Sequence, residues 1–319
     1  MYYDVFNGDA DGICALHQLR LHEPRPEAIL VTGVKRDIKL LDKIHGAHDS
    51  NITVLDISLD SNRNSLLQLL GQGNEITYID HHFAGDIPAT ENLTAHIDLA
   101  PTICTSLIVN KLLQGKYRGW AVAATFGDNF HESARQIATE MSLDEEAISS
   151  LQELGELLNY NGYGATVSDL HFAPDKLYYA LHSFIDPFDF LVESPDLAIL
   201  RAGFEEDMAL AMEQKELDAT QNNRVYLFPN APWARRVSGV FSNLRAREKK
   251  EAAHALIVEN TDATLRISVR APLNQREHAD TLCRSFPTGG GRAAAAGINN
   301  LPPEMLEDFL NLFHTTFAP

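Results

Sequence analysis

Acidic residues and histidines that directly follow apolar runs constrain the fold of this chain most strongly. The run at 75–79 is rich in β-branched and aromatic residues, follows a glycine-containing turn at 71–74, and leads into Asp80, His81 and His82. This pattern predicts a buried strand that ends in one carboxylate and two imidazoles. Ionisable residues at the carboxyl end of a strand lie where α/β proteins form ligand crevices. Taken alone, the triplet also fits a capped loop with two surface histidines.

Three further strand-like or buried runs are followed by aspartate. They are residues 2–6 before Asp9 and Asp11, residues 52–55 before Asp56, and residues 120–126 before Asp128. We expect the ends of all four runs to converge at one edge of a parallel sheet. Carboxylates and an imidazole are suitable ligands for Mn2+ or Mg2+. Carboxylates packed this closely need a cation, because otherwise their pKa values rise.

In their order these segments resemble the DHH phosphoesterase superfamily. That superfamily includes RecJ-type single-strand exonucleases, phosphodiesterases of nano-RNA and cyclic dinucleotides, exopolyphosphatases and related inorganic pyrophosphatases. The four matching motifs lie at 7–12, 55–56, 80–82 and 127–129. A fifth segment at 288–297 resembles the glycine-rich signature of the DHH-associated C-terminal domain. The resemblance covers nearly the whole chain and implies hydrolysis of phosphodiester or phosphoanhydride bonds by a water that two metal ions activate.

The resemblance also implies which residues hold up to two Mn2+ or Mg2+ ions. The expected ligands are Asp9, Asp11, Asp56, His81 and Asp128. Asp9 would belong to the first ion, Asp56 would bridge the two, and the other three would hold the second. Two divalent ions ~3.5–4 Å apart supply a nucleophile at neutral pH and neutralise phosphoryl oxygens.

Three further residues complete the site that the resemblance implies. His82 would not bind metal but would stabilise the phosphoryl group or protonate the leaving oxygen, and Asp80 would orient a histidine or a metal ligand. Asn7 stands where the superfamily usually has a histidine ligand of the first ion. An amide oxygen is a weaker, neutral ligand, so we expect the first site to be weak, Mg-preferring or empty. The alternative is a catalytically weak scaffold of the same fold that binds a nucleotide or a protein.

The segment after residue 288 is expected to bind the phosphate groups of the substrate. The expected contacts are Gly289, Gly290, Gly291, Arg292 and Arg270. Glycines let backbone N–H groups approach an anion closely, and the alanine-rich residues 293–298 predict a helix whose dipole would add to the attraction. Arg292, where the superfamily usually has histidine, can still form a two-pronged contact with phosphate. Lys35 and Arg36, just past a predicted strand, either meet substrate phosphate or begin a solvated helix.

The length of 319 residues indicates about two domains. We expect an α/β fold with a parallel-sheet, metal-binding catalytic domain over 1–190, a connector helix over 191–221 and a smaller α/β substrate-binding domain over 222–319. The active cleft would lie between the two domains. A hydrophobic fraction of 45% supports full cores. The three cysteines form no C-x-x-C pair, and we find neither a signal peptide nor an apolar span, so we expect a cytoplasmic protein.

The net charge of −18 bears on the partners of the protein. Proteins that grip long nucleic acids usually show a basic face. The acidic balance therefore disfavours a processive single-strand exonuclease, which is a further alternative. We expect a small phosphorylated substrate, such as a short oligonucleotide or a cyclic dinucleotide, and no membrane partner. A homodimer is compatible with the sequence.

Overall fold

A parallel β-sheet organises the first of two units, Met1–Ala202. The structure is a computed structural model and describes residues 1–318. The strands of this sheet are β1 (Tyr2–Phe6), β2 (Ile29–Val31), β3 (Asn51–Leu55), β4 (Glu75–Asp80) and β5 (Leu93–Ile97). They lie in the order β2-β1-β3-β4-β5, and each neighbouring pair is parallel. The carboxyl ends of β1, β3 and β4 are therefore neighbours at one edge, as the sequence predicted.

Helices lie between and after these strands. They are α1 (Ala10–His22), α2 (Arg63–Gly71), α3 (Thr105–Leu112), α4 (Arg118–Gly127), α5 (His131–Glu140), α6 (Glu145–Gly162), α7 (Pro174–His182), α8 (Pro187–Glu193) and α9 (Pro195–Glu213). The first helix begins directly after β1, because the Asp9 carboxylate caps it by accepting hydrogen bonds from the backbone N–H groups of Asp11 and Gly12. α1 is buried along most of its length and packs against α3, α4, α6 and α7.

Apolar side chains cover both faces of the parallel sheet. Val54 and Tyr78 belong to a hydrophobic cluster on one face, and the next residues along the same strands, Leu55 and Ile79, are buried as well. A strand that is buried on both faces appears in the sequence as a continuous apolar run. This is why β3 and β4 are recognisable from the sequence alone.

The second unit, from Gly203 onward, contains a mixed sheet. Its elements after α9 are β6 (Glu216–Ala219), β7 (Asn223–Phe228), α10 (Pro232–Glu248), β8 (Ala253–Glu259), β9 (Leu265–Arg270), α11 (Ala279–Arg284), β10 (Gly289–Arg292), β11 (Ala295–Leu301) and α12 (Leu306–Thr316). The strand order is β10-β11-β9-β8-β7-β6, with β7 and β8 parallel and the other neighbours antiparallel. One face of the sheet packs with α11 and α12 into a hydrophobic cluster. Among residues 1–318, no helix is both long and apolar enough to cross a bilayer.

Two helix predictions in this half of the chain are wrong. The connector expected as one helix over 191–221 is divided, because α9 ends at Glu213 and β6 follows as a strand paired with β7. The segment 293–298, expected as a helix, lies largely in β11 instead. Alternate side chains of β11 enter the hydrophobic cluster, and its backbone pairs with β9 and β10. Alanine favours helices, but this propensity is a weak prior that tertiary pairing overrides. The expected domain limits after residues 190 and 221 stay a prediction.

Candidate metal centre

The buried carboxylate of Asp11 is fixed by the start of α3. Asp11 lies in the first turn of α1 and is fully buried. Its Oδ2 accepts a hydrogen bond from the backbone N–H of Thr105 and its Oδ1 from that of Ser106, both at 2.7 Å. The Ser106 hydroxyl also donates to the carbonyl oxygen of Asp11 at 2.9 Å. Because backbone N–H groups at a helix N-terminus stabilise negative charge, this arrangement orients Asp11 as a ligand.

Asp56 enters the same region from the end of β3. Its backbone N–H donates to the carbonyl oxygen of Ile79, which prolongs the pairing of β3 with β4, and its φ of 59° lies in the left-handed region. Its Oδ1 accepts a hydrogen bond from the Thr105 hydroxyl at 3.1 Å. Aspartate tolerates this backbone conformation better than most residues, and such conformations cluster at functional sites. The turn therefore ends the strand and brings the Asp56 carboxylate beside the start of α3.

Asp128 comes from a helix rather than from a strand. Residues 120–126, which the sequence suggested as a strand-like or buried run, belong to α4, and Asp128 is the C-terminal cap of that helix. A short apolar run does not distinguish a strand from a buried helix. Gly127 lets α4 approach its neighbours closely, since a Cβ there would lie 2.5 Å from Ala10 Cβ and 2.7 Å from the Gly155 carbonyl oxygen. This close packing brings the end of α4 to the first turn of α1.

His81 lies among these carboxylates. Its Nε2 is 3.5 Å from Asp56 Oδ1, 3.5 Å from Asp128 Oδ2 and 3.9 Å from Asp11 Oδ2. One ligand atom each from Asp11, His81 and Asp128 lies within 4.8 Å of the others. Ligand atoms that are each ~2.0–2.2 Å from one ion lie about 3–4 Å apart, so these atoms fit around a single divalent cation. The structure thus brings Asp11, His81 and Asp128 within reach of one ion, and Asp56 meets the same His81 at 3.5 Å. Asp56 also forms a second candidate ligand group with His81 and His82, although His82 was not expected to bind metal.

His82 and Asp80 form a hydrogen-bonded pair beside this cluster. His82 Nδ1 is 2.7 Å from Asp80 Oδ1, and the Asp80 side chain is fully buried whereas that of His82 is 46% exposed. Burial lowers the pKa of His82, but the hydrogen bond and the charge of Asp80 outweigh burial and raise that pKa above its usual value. Because Nδ1 donates its proton to Asp80, Nε2 is the ring nitrogen left to meet a substrate.

Lys35 is a charged residue that the sequence did not assign to the metal centre. It lies in a turn after β2 rather than at the start of a helix. Its Nζ is 2.6 Å from Asp9 Oδ2, 3.3 Å from Asp128 Oδ1 and 2.9 Å from Asn159 Oδ1. Burial lowers the pKa of Lys35, but the neighbouring carboxylates, Asp9 first, raise it well above its usual value. A lysine after a predicted strand carries no sequence signal for this contact, because its partners lie up to 124 residues away in the chain.

The pKa values of Asp9 and Asp56 are shifted in opposite directions. Burial raises the pKa of Asp9, yet Lys35 and the backbone N–H of Gly12 outweigh burial and hold it below its usual range. Burial and the nearby charges of Asp11 and Asp9 raise the pKa of Asp56 well above its usual range. Asp9 therefore already faces a cation, whereas Asp56 has repulsion that a divalent ion would relieve.

Asn7 and Asp9, the residues expected at the first ion, offer fewer free ligand atoms. Asn7 Nδ2 donates to the carbonyl oxygen of Lys35 at 3.2 Å, and the buried Asn7 Oδ1 has no hydrogen-bond partner within residues 1–318. Asp9 Oδ1 accepts from the backbone N–H groups of Asp11 and Gly12 at 3.0 and 3.1 Å, while Oδ2 faces Lys35. A Mn2+ or Mg2+ ion needs several oxygen or nitrogen ligands. The ligand atoms of Asp11, His81 and Asp128 fit one divalent ion, whereas a further ion at Asp9 would have to take the carboxylate oxygen that already faces the Lys35 ammonium.

In the second unit the glycine segment forms an edge strand. β10 is the outermost strand of its sheet and pairs with β11. A Cβ on Gly289 would lie 1.8 Å from the Cys283 carbonyl oxygen, and Gly291 has a φ of 140° that side chains rarely adopt. A Cβ on Gly290 would meet no atom within 4 Å, so open space lies above this residue. The segment is thus an edge strand and not the loop before a helix N-terminus that the sequence suggested, and the backbone N–H of Gly289 donates to the Phe286 carbonyl oxygen at 3.2 Å.

Arg270 and Arg292 stand in one row of the same sheet. Ala295 of β11 is paired with Arg270 of β9 on one side and with Arg292 of β10 on the other. Side chains that are directly opposite on adjacent strands lie on the same face, so the two guanidinium groups emerge on one side, about 10 Å apart at their Cα atoms. Arg292 is exposed, and Arg270 Nε donates to Asn243 Oδ1 at 2.8 Å.

Comparison with solved structures identifies several with the same fold. An exonuclease RecJ bound to manganese has a TM-score of 0.61 and 17% identity over 99% of this chain and 90% of that chain. The pGpG-specific phosphodiesterase PggH from Vibrio cholerae has a TM-score of 0.62 and 15% identity over 100% of this chain and 99% of that chain. RecJ from Thermus thermophilus in complex with Mn2+ has a TM-score of 0.57 and 16% identity over 99% of this chain but 52% of that chain. No protein-family model matches the sequence, and no curated protein matches it.

Proposed function

Because the chain has the fold of the DHH phosphoesterase superfamily along its full length, we propose that it is a Mn2+- or Mg2+-dependent phosphoesterase. Its substrates are short nucleotides or similar small polyanions, in which it hydrolyses a phosphodiester or phosphoanhydride bond. The observation that carries this proposal is the convergence of Asp56, Asp128 and Asp11 on the Nε2 atom of His81 at 3.5–3.9 Å. Buried carboxylates at this spacing repel one another unless a cation lies between them.

The ligands of the divalent ion are assigned as Asp11, Asp56, His81 and Asp128. Their carboxylate oxygens and imidazole nitrogen suit Mn2+ or Mg2+. When bound, the ion supplies charge neutralisation at the phosphoryl oxygens and makes water a better nucleophile. Thr105 supports this ligand set from the start of α3, since its backbone N–H fixes Asp11 and its hydroxyl fixes Asp56.

His82 is assigned to the phosphoryl group and the leaving oxygen. Its Nδ1 is engaged by the buried Asp80 carboxylate at 2.7 Å, which fixes the ring and favours the charged imidazolium. The half-exposed ring can present Nε2–H to a substrate oxygen, stabilise the developing negative charge and give up its proton to the leaving oxygen.

The second unit is assigned to substrate binding. The assigned residues are Gly289, Gly290, Gly291, Arg292 and Arg270. The edge-strand glycines let an anion approach the backbone closely, and the two arginines provide positive charge on one face of the sheet. The net charge of −18 favours a short substrate such as a linear dinucleotide over a long strand. PggH, a pGpG-specific phosphodiesterase, shares the fold, as the exonuclease RecJ does.

The test is a substrate panel with purified protein in Mn2+ and in Mg2+. The panel contains pGpG, a cyclic dinucleotide, adenosine bisphosphate, polyphosphate and a long single-stranded DNA. We expect pGpG or another short nucleotide to be consumed, and the His82→Ala variant to lose turnover while it retains the metal. An inert panel with no bound divalent ion would instead indicate a catalytically weak scaffold. Preferred digestion of the long strand, with steep salt dependence of binding, would indicate a single-strand exonuclease.

A further inference from the structure

The ammonium group of Lys35 lies where the ion of the first site, the one expected at Asp9, would have to bind. Its Nζ is 2.6 Å from Asp9 Oδ2 and 3.3 Å from Asp128 Oδ1. Asp9 is the carboxylate expected to hold the first ion, and Asp128 is expected to belong to the second. A divalent ion that used Asp9 Oδ2 as a ligand would therefore have to displace the ammonium from its shortest contact.

Backbone contacts hold Lys35 in this position. Its backbone N–H donates to the Gly162 carbonyl oxygen at 2.9 Å, and its own carbonyl oxygen accepts from Asn7 Nδ2 at 3.2 Å. The Asn159 amide oxygen accepts from Nζ at 2.9 Å, and the Tyr163 ring centroid lies 5.6 Å from Nζ. Asn7, at the position where a histidine ligand is usual, thus supports the turn that carries the lysine.

The fixed ammonium disfavours a further divalent ion at Asp9. Four aspartates, Asp9, Asp11, Asp56 and Asp128, meet in this region. One divalent ion and one ammonium nearly neutralise them, whereas a second divalent ion at Asp9 would lie beside the ammonium and be repelled by it. Apart from the Asp56 carboxylate, which lies beside Asp9, the unpartnered oxygen near such an ion is the neutral Asn7 Oδ1, which is a weak ligand by itself.

We propose that Lys35 is a built-in cation that takes the place of the first metal ion, so that each chain binds one divalent ion, at Asp11, Asp56, His81 and Asp128. This inference rests on the proposed metal-dependent function and specifies the composition of its centre. Lys35 acts here as a positioning residue, because it neutralises Asp9 and holds Asp128 toward His81. The lysine provides one fixed positive charge that, unlike a metal ion, does not have to be bound from solution.

The test counts Mn2+ ions per chain by equilibrium dialysis and metal analysis, and uses electron paramagnetic resonance to distinguish isolated from spin-coupled Mn2+. The proteins are the wild type, Lys35→Met, Lys35→Arg and Asn7→His. Lys35→Met keeps an unbranched side chain of similar length without the charge. Lys176→Met is the matched control, because it removes a lysine whose side chain is 71% exposed and whose nearest carboxylate is 3.9 Å away.

We expect one isolated Mn2+ per chain in the wild type, Lys35→Arg and Lys176→Met, and a spin-coupled pair in Lys35→Met. Asn7→His should still bind one ion, since Lys35 remains on Asp9. Two ions in the wild type, or a second ion gained by Asn7→His alone, would overturn this inference and leave the proposed function standing. A folded Lys35→Met that binds one ion would overturn it as well. If Lys35→Met does not fold, the counts for the wild type and Asn7→His decide. No bound Mn2+ in the wild type would overturn the proposed function and this inference together.

Discussion

The two units present their candidate binding groups in opposite ways. In the first unit the groups are side chains that are buried, charged and fixed by hydrogen bonds, as with Asp11, whose two oxygens each accept a backbone N–H at 2.7 Å. In the second unit they are backbone groups of the glycine edge strand β10, flanked by the exposed Arg292. The first arrangement suits an ion that needs ligands at fixed distances, and the second suits an anion of variable shape.

This difference determines how substitutions should act. In the candidate metal centre, replacing one side-chain atom removes a ligand or a hydrogen bond. Such a substitution should lower the turnover rate or the metal affinity without moving the backbone. The glycines of the edge strand have no side chains to remove, so the informative change at these positions is the addition of a methyl group.

Asp56→Asn should abolish turnover. The amide keeps the shape of the side chain and tolerates the left-handed φ of 59°, but it removes a charged ligand that the proposed mechanism needs. A loss of several kcal/mol of electrostatic stabilisation corresponds to about a 10³-fold lower rate. Steady-state kinetics with Mn2+ measures this effect. The metal-free variant should melt at a higher temperature than the metal-free wild type, because it has lost the repulsion that raises the pKa of Asp56.

Asp49→Asn is the matched control for this change. Asp49 also has a positive φ, of 45°, and its side chain is 85% exposed outside the cluster. Its substitution should leave the rate unchanged. Near-normal turnover by Asp56→Asn would remove Asp56 from the set of metal ligands.

Asp80→Asn should lower kcat by about 10- to 100-fold with little change in Mn2+ affinity. The amide can no longer fix the His82 ring through a charged acceptor at 2.7 Å, and losses of this size are typical when an orienting partner is removed. A double-mutant cycle with His82→Ala measures the coupling. If Asp80 acts through His82, adding Asp80→Asn to His82→Ala should cost nothing further. If the losses from the two substitutions add fully, Asp80 does not act through His82.

Thr105→Val should weaken Mn2+ binding by about 10-fold. The substitution keeps the branched shape but removes the hydroxyl that donates to Asp56 Oδ1 at 3.1 Å. Isothermal titration with Mn2+ measures the affinity. Thr105→Ser restores the hydroxyl and should restore the affinity, whereas equal affinities for the valine and serine variants would mean that the hydrogen bond does not support the ligand.

Gly290→Ala should raise KM by about 3- to 10-fold, which corresponds to no more than ~1.4 kcal/mol of binding free energy. The added methyl group meets no protein atom within 4 Å, so the melting temperature should not change. Gly289→Ala is the contrasting variant, because its Cβ would collide with the Cys283 carbonyl oxygen and lower the melting temperature. An unchanged KM in Gly290→Ala would mean that substrate does not approach the face above this residue.

The metal centre was more accessible to sequence reasoning than the edge strand was. β1, β3 and β4 are short and largely apolar. Asp9 follows β1 after two residues, Asp56 follows β3 directly and Asp80 ends β4, so parallel topology predicts that these residues lie at one edge of the sheet. The element that carries Asp128 was not settled by its composition, because a buried helix and a buried strand are equally apolar over this length.

What the sequence did not predict depends on contacts distant in the chain. Lys35 joins the cluster through Asp9 and Asp128, the second of which is 93 residues away, and nothing in its immediate neighbours indicates this pairing. The segment at 293–298 has the composition of a helix, yet strand pairing on both sides and the contact of alternate side chains with the core outweigh its local preference. In both cases tertiary structure decides what local sequence leaves open.

The most direct test of the central claim is a crystal structure grown with Mn2+ and measured at a wavelength where manganese scatters anomalously. We expect an anomalous peak within bonding distance, ~2.0–2.4 Å, of carboxylate oxygens of Asp11, Asp56 and Asp128 and of His81 Nε2. A fully loaded crystal with no peak among these four side chains would contradict it.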